Sequence, residues 1–311
     1  MPYTRRELGK LALAALPAAT LGGRASVLAL QSRPNSTVRG VTIGMNVPYN
    51  FGGRTMPVED ILKNCVELGV SAVEMRTQPI EAYLGVPANL VAAGRGGRDG
   101  ENAGAAEELR KWRLSVSMDR VRALRKTFED AGVSMEIVKV DGIFAMPDDV
   151  VDYEFQLAKA LGARAISTEI SVPDTKRLGQ FADKHKMMVG YHGHATTSAA
   201  DFETVFGFAA HNGANLDIGH FVAGQNTSPV PFIKQHHARI THVHVKDRKK
   251  NNGPNVPFGQ GDTPIAEVLQ LIRDNKWKIQ ATIEFEYPVP EGSDRMAEIR
   301  KCIEYCRSVL A

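Results

Sequence analysis

The chain has 311 residues, 43% hydrophobic and 23% charged, which is ordinary globular composition and enough to bury a large core. With 38 basic against 35 acidic residues the net charge is only +3, and no long basic run interleaves with aromatics, which argues against nucleic acid as a partner. Three cysteines without a CxxC spacing argue against a disulfide framework and against a zinc knuckle.

The chain opens with Thr4-Arg5-Arg6-Glu7-Leu8-Gly9-Lys10, followed by a moderately apolar stretch from Leu11 to Leu21 that contains Pro17. This order resembles a twin-arginine export signal. The stretch is too short and too weakly apolar for a membrane span. Residues 1–37 are therefore expected to be a signal peptide and short linker, with cleavage near Ala19 or Ala25. Residues 38–311 are expected to form one domain, exported to the periplasm or beyond, without stable membrane insertion after cleavage.

From Val41 onward short apolar runs alternate with amphipathic stretches. Strands are expected at Val41–Met45, Ser71–Met75, Ser134–Val138, Ala165–Glu169, Met187–His192, Ala214–Ile218, Ile240–Val245 and Ile279–Phe285. Pro57–Leu68 carries Val58, Ile61, Leu62, Cys65 and Leu68 on one helical stripe. Val151–Leu161, Thr175–His185, Ser198–Ala210, Pro231–His237, Pro264–Asn275 and Arg295–Leu310 read in the same way. Cys302 and Cys306, four apart in the last helix, are expected to be core residues. Gly69, Gly132, Gly162 and Gly213 stand where helix C-caps belong. Strict β/α alternation over eight strands is the pattern of a single (β/α)8 barrel. An open doubly wound sheet is the runner-up, with Phe51-Gly52-Gly53-Arg54 as a weak phosphate-loop candidate. The glycine- and arginine-rich piece 93–100 reads as a flexible loop after the second strand, projecting over the active face and placed to act as a lid.

Polar residues collect at the expected strand ends. Glu169 ends the fourth strand, and His192 and His194 end the fifth. Asp217 and His220 end the sixth, His242, His244 and Lys246 lie on or just past the seventh, and Glu284 and Glu286 end the eighth. A buried strand has no structural need for such groups, because desolvating them is costly unless they are paired or coordinated. Carboxylates with imidazoles make a mixed oxygen/nitrogen site suited to one divalent metal ion: Mn, Co, Mg or Zn. Singly, each residue has a plainer reading; Asp217, for example, would serve as a helix N-cap.

Leu216-Asp217-Ile218-Gly219-His220, His242-Val243-His244-Val245-Lys246-Asp247, Phe258-Gly259-Gln260-Gly261-Asp262 and Ile283-Glu284-Phe285-Glu286 resemble the sugar phosphate isomerase/epimerase group of xylose isomerase-like TIM barrels. The resemblance covers most of Val41–Leu310. It implies a metal held by Glu169, Asp217, His244 and Glu284, with His220 touching the substrate. The chain departs from the group at Tyr191-His192-Gly193-His194, where either of two imidazoles would crowd the metal shell and displace a carboxylate.

The expected activity is proton transfer beside the carbonyl of a small sugar or keto-sugar, with His192, His194 and Glu284 as candidate bases and Lys246 stabilising the enolate oxygen. Returning the proton is isomerisation or epimerisation. Expelling a β-substituent makes a lyase or dehydratase acting on a keto-sugar or keto-glycoside. Metal-dependent hydrolysis and a non-catalytic sugar-binding barrel are more remote, and a homo-oligomer is left open.

Overall fold

A computed structural model describes residues 33–53, 55–91 and 103–311. The expected export signal and the glycine-rich piece 93–100 lie outside the described residues.

Eight parallel strands close into a barrel: β1 (Val41–Val47), β2 (Ala72–Arg76), β3 (Ser134–Lys139), β4 (Ala165–Glu169), β5 (Met188–His192), β6 (Asn212–Asp217), β7 (Ile240–Val245) and β8 (Gln280–Ile283). Each pairs with its neighbours in sequence, and β8 closes on β1 through Ala281 opposite Ile43 and Ile283 opposite Met45. A short strand, Thr37–Val38, runs antiparallel to β1. The strands are almost wholly buried because helices cover them outside and side chains fill them inside. Strand positions follow the apolar runs to within a few residues.

The covering helices include Val58–Leu68, Asp148–Leu161, Thr175–His185, Ala199–Phe208, Val230–His236, Ile265–Asp274 and Arg295–Leu310. Their apolar stripes face the barrel, and Cys65, Cys302 and Cys306 are buried with them. Gly69 and Gly162 cap helices at positive φ, as expected. Gly213 does not: it lies within β6, where a Cβ would fall 2.5 Å from the Arg239 carbonyl oxygen, so glycine is required there by close approach. Three further helices, Thr77–Leu84, Ala103–Ser115 and Met118–Asp130, were not expected, whereas Ile218–Gln225 is the helix implied by reading Asp217 as an N-cap. Among the described residues no helix is long and apolar enough to cross a membrane.

Candidate metal centre

The barrel's C-terminal mouth gathers the polar strand ends. Strand register sets their levels: Glu169 pairs with His192, Asp217 with His244, and His244 with Thr282. Asp217 is both the last residue of β6 and the N-cap of Ile218–Gln225, so its Oδ1 accepts from the His220 amide at 2.7 Å. Its Oδ2 is left facing the mouth.

Four fully enclosed side chains then meet: His192, Asp217, His244 and Glu284, with donor atoms all within 4.8 Å of one another. His244 Nδ1 lies 3.1 Å from Glu284 Oε2 and 3.9 Å from Asp217 Oδ2. His192 Nε2 lies 3.4 Å from Asp217 Oδ2 and 3.9 Å from Glu284 Oε2. The Lys246 ammonium sits against the same two oxygens, 3.0 Å from Asp217 Oδ2 and 2.6 Å from Glu284 Oε2, and 2.6 Å from Glu286 Oε2.

Further groups hold these side chains in place. Glu74, midway along β2 and wholly buried, sets Oε2 2.6 Å from His244 Nε2 and Oε1 3.4 Å from His242 Nε2. With Nε2 tied to this carboxylate, Nδ1 of His244 is the nitrogen presented to the cluster. Asn46 on β1 donates to Glu284 Oε1 at 2.9 Å, leaving Oε2 for the centre. Asp247 anchors the following loop by accepting from the amides of Gly259 and Gly261, each at 2.8 Å. A Cβ on Gly261 would fall 1.9 Å from Asp247 Oδ1, which accounts for glycine in that motif.

Glu169 stands one step outside the four. Its Oε1 takes the Lys139 ammonium at 2.6 Å, and its Oε2 lies 2.9 Å from His192 Nδ1 and 2.7 Å from His194 Nε2. His192 is thus held through Nδ1 by Glu169 while Nε2 turns to Asp217. His194 is more than half exposed at the rim, edge-on to His192. His220 is bracketed by two cations, with Lys246 Nζ 3.2 Å from Nε2 and Arg248 donating to Nδ1 at 2.7 Å.

The electrostatics follow from this layout. Burial alone would raise the Glu284 and Asp217 carboxyls. His244 and Lys246 around Glu284, and Lys246 and His220 around Asp217, outweigh burial and hold both below the usual carboxylate range. Burial would lower His244, but Glu284 and Glu74 push it up to about 10. Burial, with Lys246 adding to it, takes His220 down to about 4, so this imidazole is neutral at physiological pH. Burial also takes His242 down to about 4 against the pull of Glu74. The hydrogen bond to Glu169 raises His194 above the ordinary histidine value.

The structure therefore brings Asp217, His244 and Glu284 together and seats His192 as the fourth member, with Glu169 behind it. His194, His220 and Lys246 surround the group at contact distance of one or more members or their partners. Glu74 escaped the sequence reading. Its signal was a carboxylate inside an otherwise apolar strand, the same signal read at strand ends elsewhere.

Set against known proteins, residues 154–309 match the family described as xylose isomerase-like TIM barrel. The chain belongs to that family. Xylose isomerase-like barrels often bind a metal, and three groups of buried or rim residues here have metal-site character. No curated protein matches the chain. Solved structures of the same fold include a probable 3-DHS dehydratase from Bacillus anthracis, at 14% identity and TM-score 0.60, covering 85% of this chain and 99% of that one. A xylose isomerase domain protein from Alicyclobacillus acidocaldarius aligns at 15% identity and TM-score 0.61, covering 87% and 99%. D-psicose 3-epimerase from Clostridium cellulolyticum aligns at 12% identity and TM-score 0.60, covering 87% and 99%. Isomerase, epimerase and dehydratase chemistry thus all occur on this xylose isomerase-like fold.

Proposed function

We propose that the protein is a divalent-metal-dependent enzyme that moves a proton beside the carbonyl of a small sugar or keto-sugar, as an isomerase or epimerase. The observation that carries the reading is the enclosed cluster of His192, Asp217, His244 and Glu284 at the barrel mouth, two imidazoles and two carboxylates converging within 4.8 Å. The donor set fits a divalent cation. Both carboxylates are stripped of water and already draw a cation, the Lys246 ammonium, onto the oxygens that face the cluster centre.

When bound there, a divalent ion supplies Lewis acidity toward a carbonyl oxygen and its neighbouring hydroxyl. The chain's own groups do the rest. Lys246, held by Glu286, offers a proton or positive charge where an enolate oxygen develops. His194, raised by Glu169, has its Nδ1 free to take a proton from carbon at the rim. Neutral His220, fixed between Lys246 and Arg248, orients the substrate rather than taking a proton, since protonation would place three cations in contact.

A second reading, elimination by a lyase or dehydratase, is favoured by one observation. Only Glu284 is a glutamate within the cluster, and the opposite wall carries the unlike pair His194 and Glu169. Unlike groups on the two sides suit removal of a proton by one and protonation of a leaving group by the other.

Proton exchange into keto-sugars in deuterated water, followed by proton NMR, tests the reading. Metal-dependent loss of the signal beside the carbonyl, abolished by Glu284→Gln, is expected. An unsaturated product would mark the lyase. Exchange that is equal in the variant would sink both.

The same reading keeps residues 1–37 as a twin-arginine signal and linker before a 38–311 domain, and so an exported enzyme acting on a free rather than phosphorylated sugar. N-terminal mass mapping of the periplasmic protein tests this; an intact Thr4–Leu21 segment on soluble cytoplasmic protein would refute it.

A further inference from the structure

On its Glu286 side the centre opens into a cavity of about 540 Å³ at the barrel mouth. Glu286 joins the two: Oε2 holds Lys246 at 2.6 Å, and Oε1 accepts from the Tyr49 hydroxyl at 2.8 Å. Asn255 lines the same cavity, and its Oδ1 is shielded from solvent with no donor among the described residues, so it suits an O–H or N–H from whatever enters. These acceptors suit sugar hydroxyls.

The remaining polar wall is Arg295. Its guanidinium lies over the Phe285 ring, 5.0 Å from the centroid, and one N–H donates to the Asn50 carbonyl at 3.1 Å. Among the described residues it pairs with no carboxylate, whereas Arg76, Arg113 and Arg164 each do. Gly52, at φ +92°, forms the floor beneath it; a Cβ there would already touch Arg295 Nε at 3.4 Å. The guanidinium is thus preorganised by an aromatic face and one backbone oxygen, with donors to spare and no anion to take them.

We propose that this cavity holds the distal end of the substrate and that Arg295 selects a carboxylate there, making the substrate an acidic sugar or keto-sugar of the hexuronate type. The inference rests on the proton-transfer reading of the adjacent centre. A carboxylate matches the fork of a single guanidinium. A phosphate dianion would bring a second negative charge toward Glu286 with no further cation among the cavity's described residues to meet it.

The test is calorimetric binding to the metal-reconstituted full chain of hexuronates against their neutral hexoses: glucuronate and glucose, galacturonate and galactose, mannuronate and mannose, with the hexose 6-phosphates as a third arm. At least one hexuronate should bind about tenfold more tightly than its hexose. Arg295→Gln should abolish that margin, and Arg295→Lys should keep part of it. A panel with no acid preference, a preference that survives Arg295→Gln, or tighter binding of the phosphates would each overturn the proposal. Metal content is measured on the same samples. A chain that holds metal yet shows no acid preference fails here alone, whereas a chain without metal fails the earlier reading, whatever Arg295 does.

Discussion

Glu74→Gln isolates what the buried carboxylate does for the centre. In the parent, Glu74 faces His244 Nε2 at 2.6 Å and His242 Nε2 at 3.4 Å with no water-exposed surface on any of the three. A hydrogen bond to a charged group contributes roughly 1.5–3 kcal/mol net and a neutral one about 0.5–1.5 kcal/mol. Glutamine keeps the shape and one acceptor, so the loss at His244 is about 1–1.5 kcal/mol, or roughly five- to tenfold in whatever depends on presenting Nδ1. Loss of a group that orients a ligating histidine typically costs 10–100-fold in metal affinity, which brackets the same range from above. Glu74→Ala is harsher, because two buried imidazoles lose their partner at about 1–3 kcal/mol each. The assay is chelator competition for Zn or Co, alongside chemical denaturation. Glu74→Gln should bind metal about tenfold more weakly and lose about 1–1.5 kcal/mol of fold stability, and Glu74→Ala should lose more of both. A glutamine variant with parental metal affinity would refute the assignment of Glu74 as the group that orients His244.

Other consequences are equally open to measurement. Glu154 is wholly buried, both of its oxygens lack a hydrogen-bond donor among the described residues, and Arg113, 3.8 Å away, is committed to Glu81 at 2.6 Å; burial pushes its carboxyl up to about 8. A carboxyl raised above its unfolded value near 4.5 stabilises the fold fully at low pH and loses that contribution as pH rises from about 4.5 through 8. Glu154→Gln should therefore be more stable than the parent at pH 8 and gain little at pH 5, and an equal gap at both pH values in urea titrations would contradict this. His194 owes its raised pKa to Glu169, so Glu169→Gln should bring its NMR titration down toward 6.5; an unchanged midpoint would separate the two residues. Gly224→Ala would drive a Cβ to 1.7 Å from the Ala195 carbonyl oxygen, in the loop that carries His194. A cost of about 1–3 kcal/mol and a drop in turnover are expected, and a variant of parental melting temperature would show that the loop yields freely.

Much of the barrel was readable in advance because strands buried on both faces appear as unbroken apolar runs, and helix stripes such as Val58 to Leu68 lie between them. Thr77–Leu84 escaped because it is a short helix that starts directly after β2 and carries Pro79 in its first turn. Ala103–Ser115 escaped because its apolar stripe is weak, whereas Met118–Asp130 carries Val121, Leu124 and Phe128 on one buried face at i, i+3 and i+7, a stripe that was legible. At the centre, chemistry was legible at strand ends but occupancy was not. Glu169 and His192 sit side by side in register, and it takes the folded contacts, Lys139 on Glu169 and Glu169 on His192 Nδ1, to turn His192 Nε2 toward Asp217. Nothing in the order of residues announces that Lys246 would share its ammonium with the two carboxylates of the cluster. Arg295 lies well past the last strand, at the start of the last helix, and meets the mouth only through folding of that helix against Asn50.

The most direct test of the central claim is metal stoichiometry of the purified full chain by plasma mass spectrometry, beside Asp217→Ala and His244→Ala. The cluster predicts about one equivalent of Mn, Co, Zn or Mg in the parent after reconstitution and its loss in both variants. No bound metal in the reconstituted parent, or metal retained at full occupancy in both variants, would contradict it.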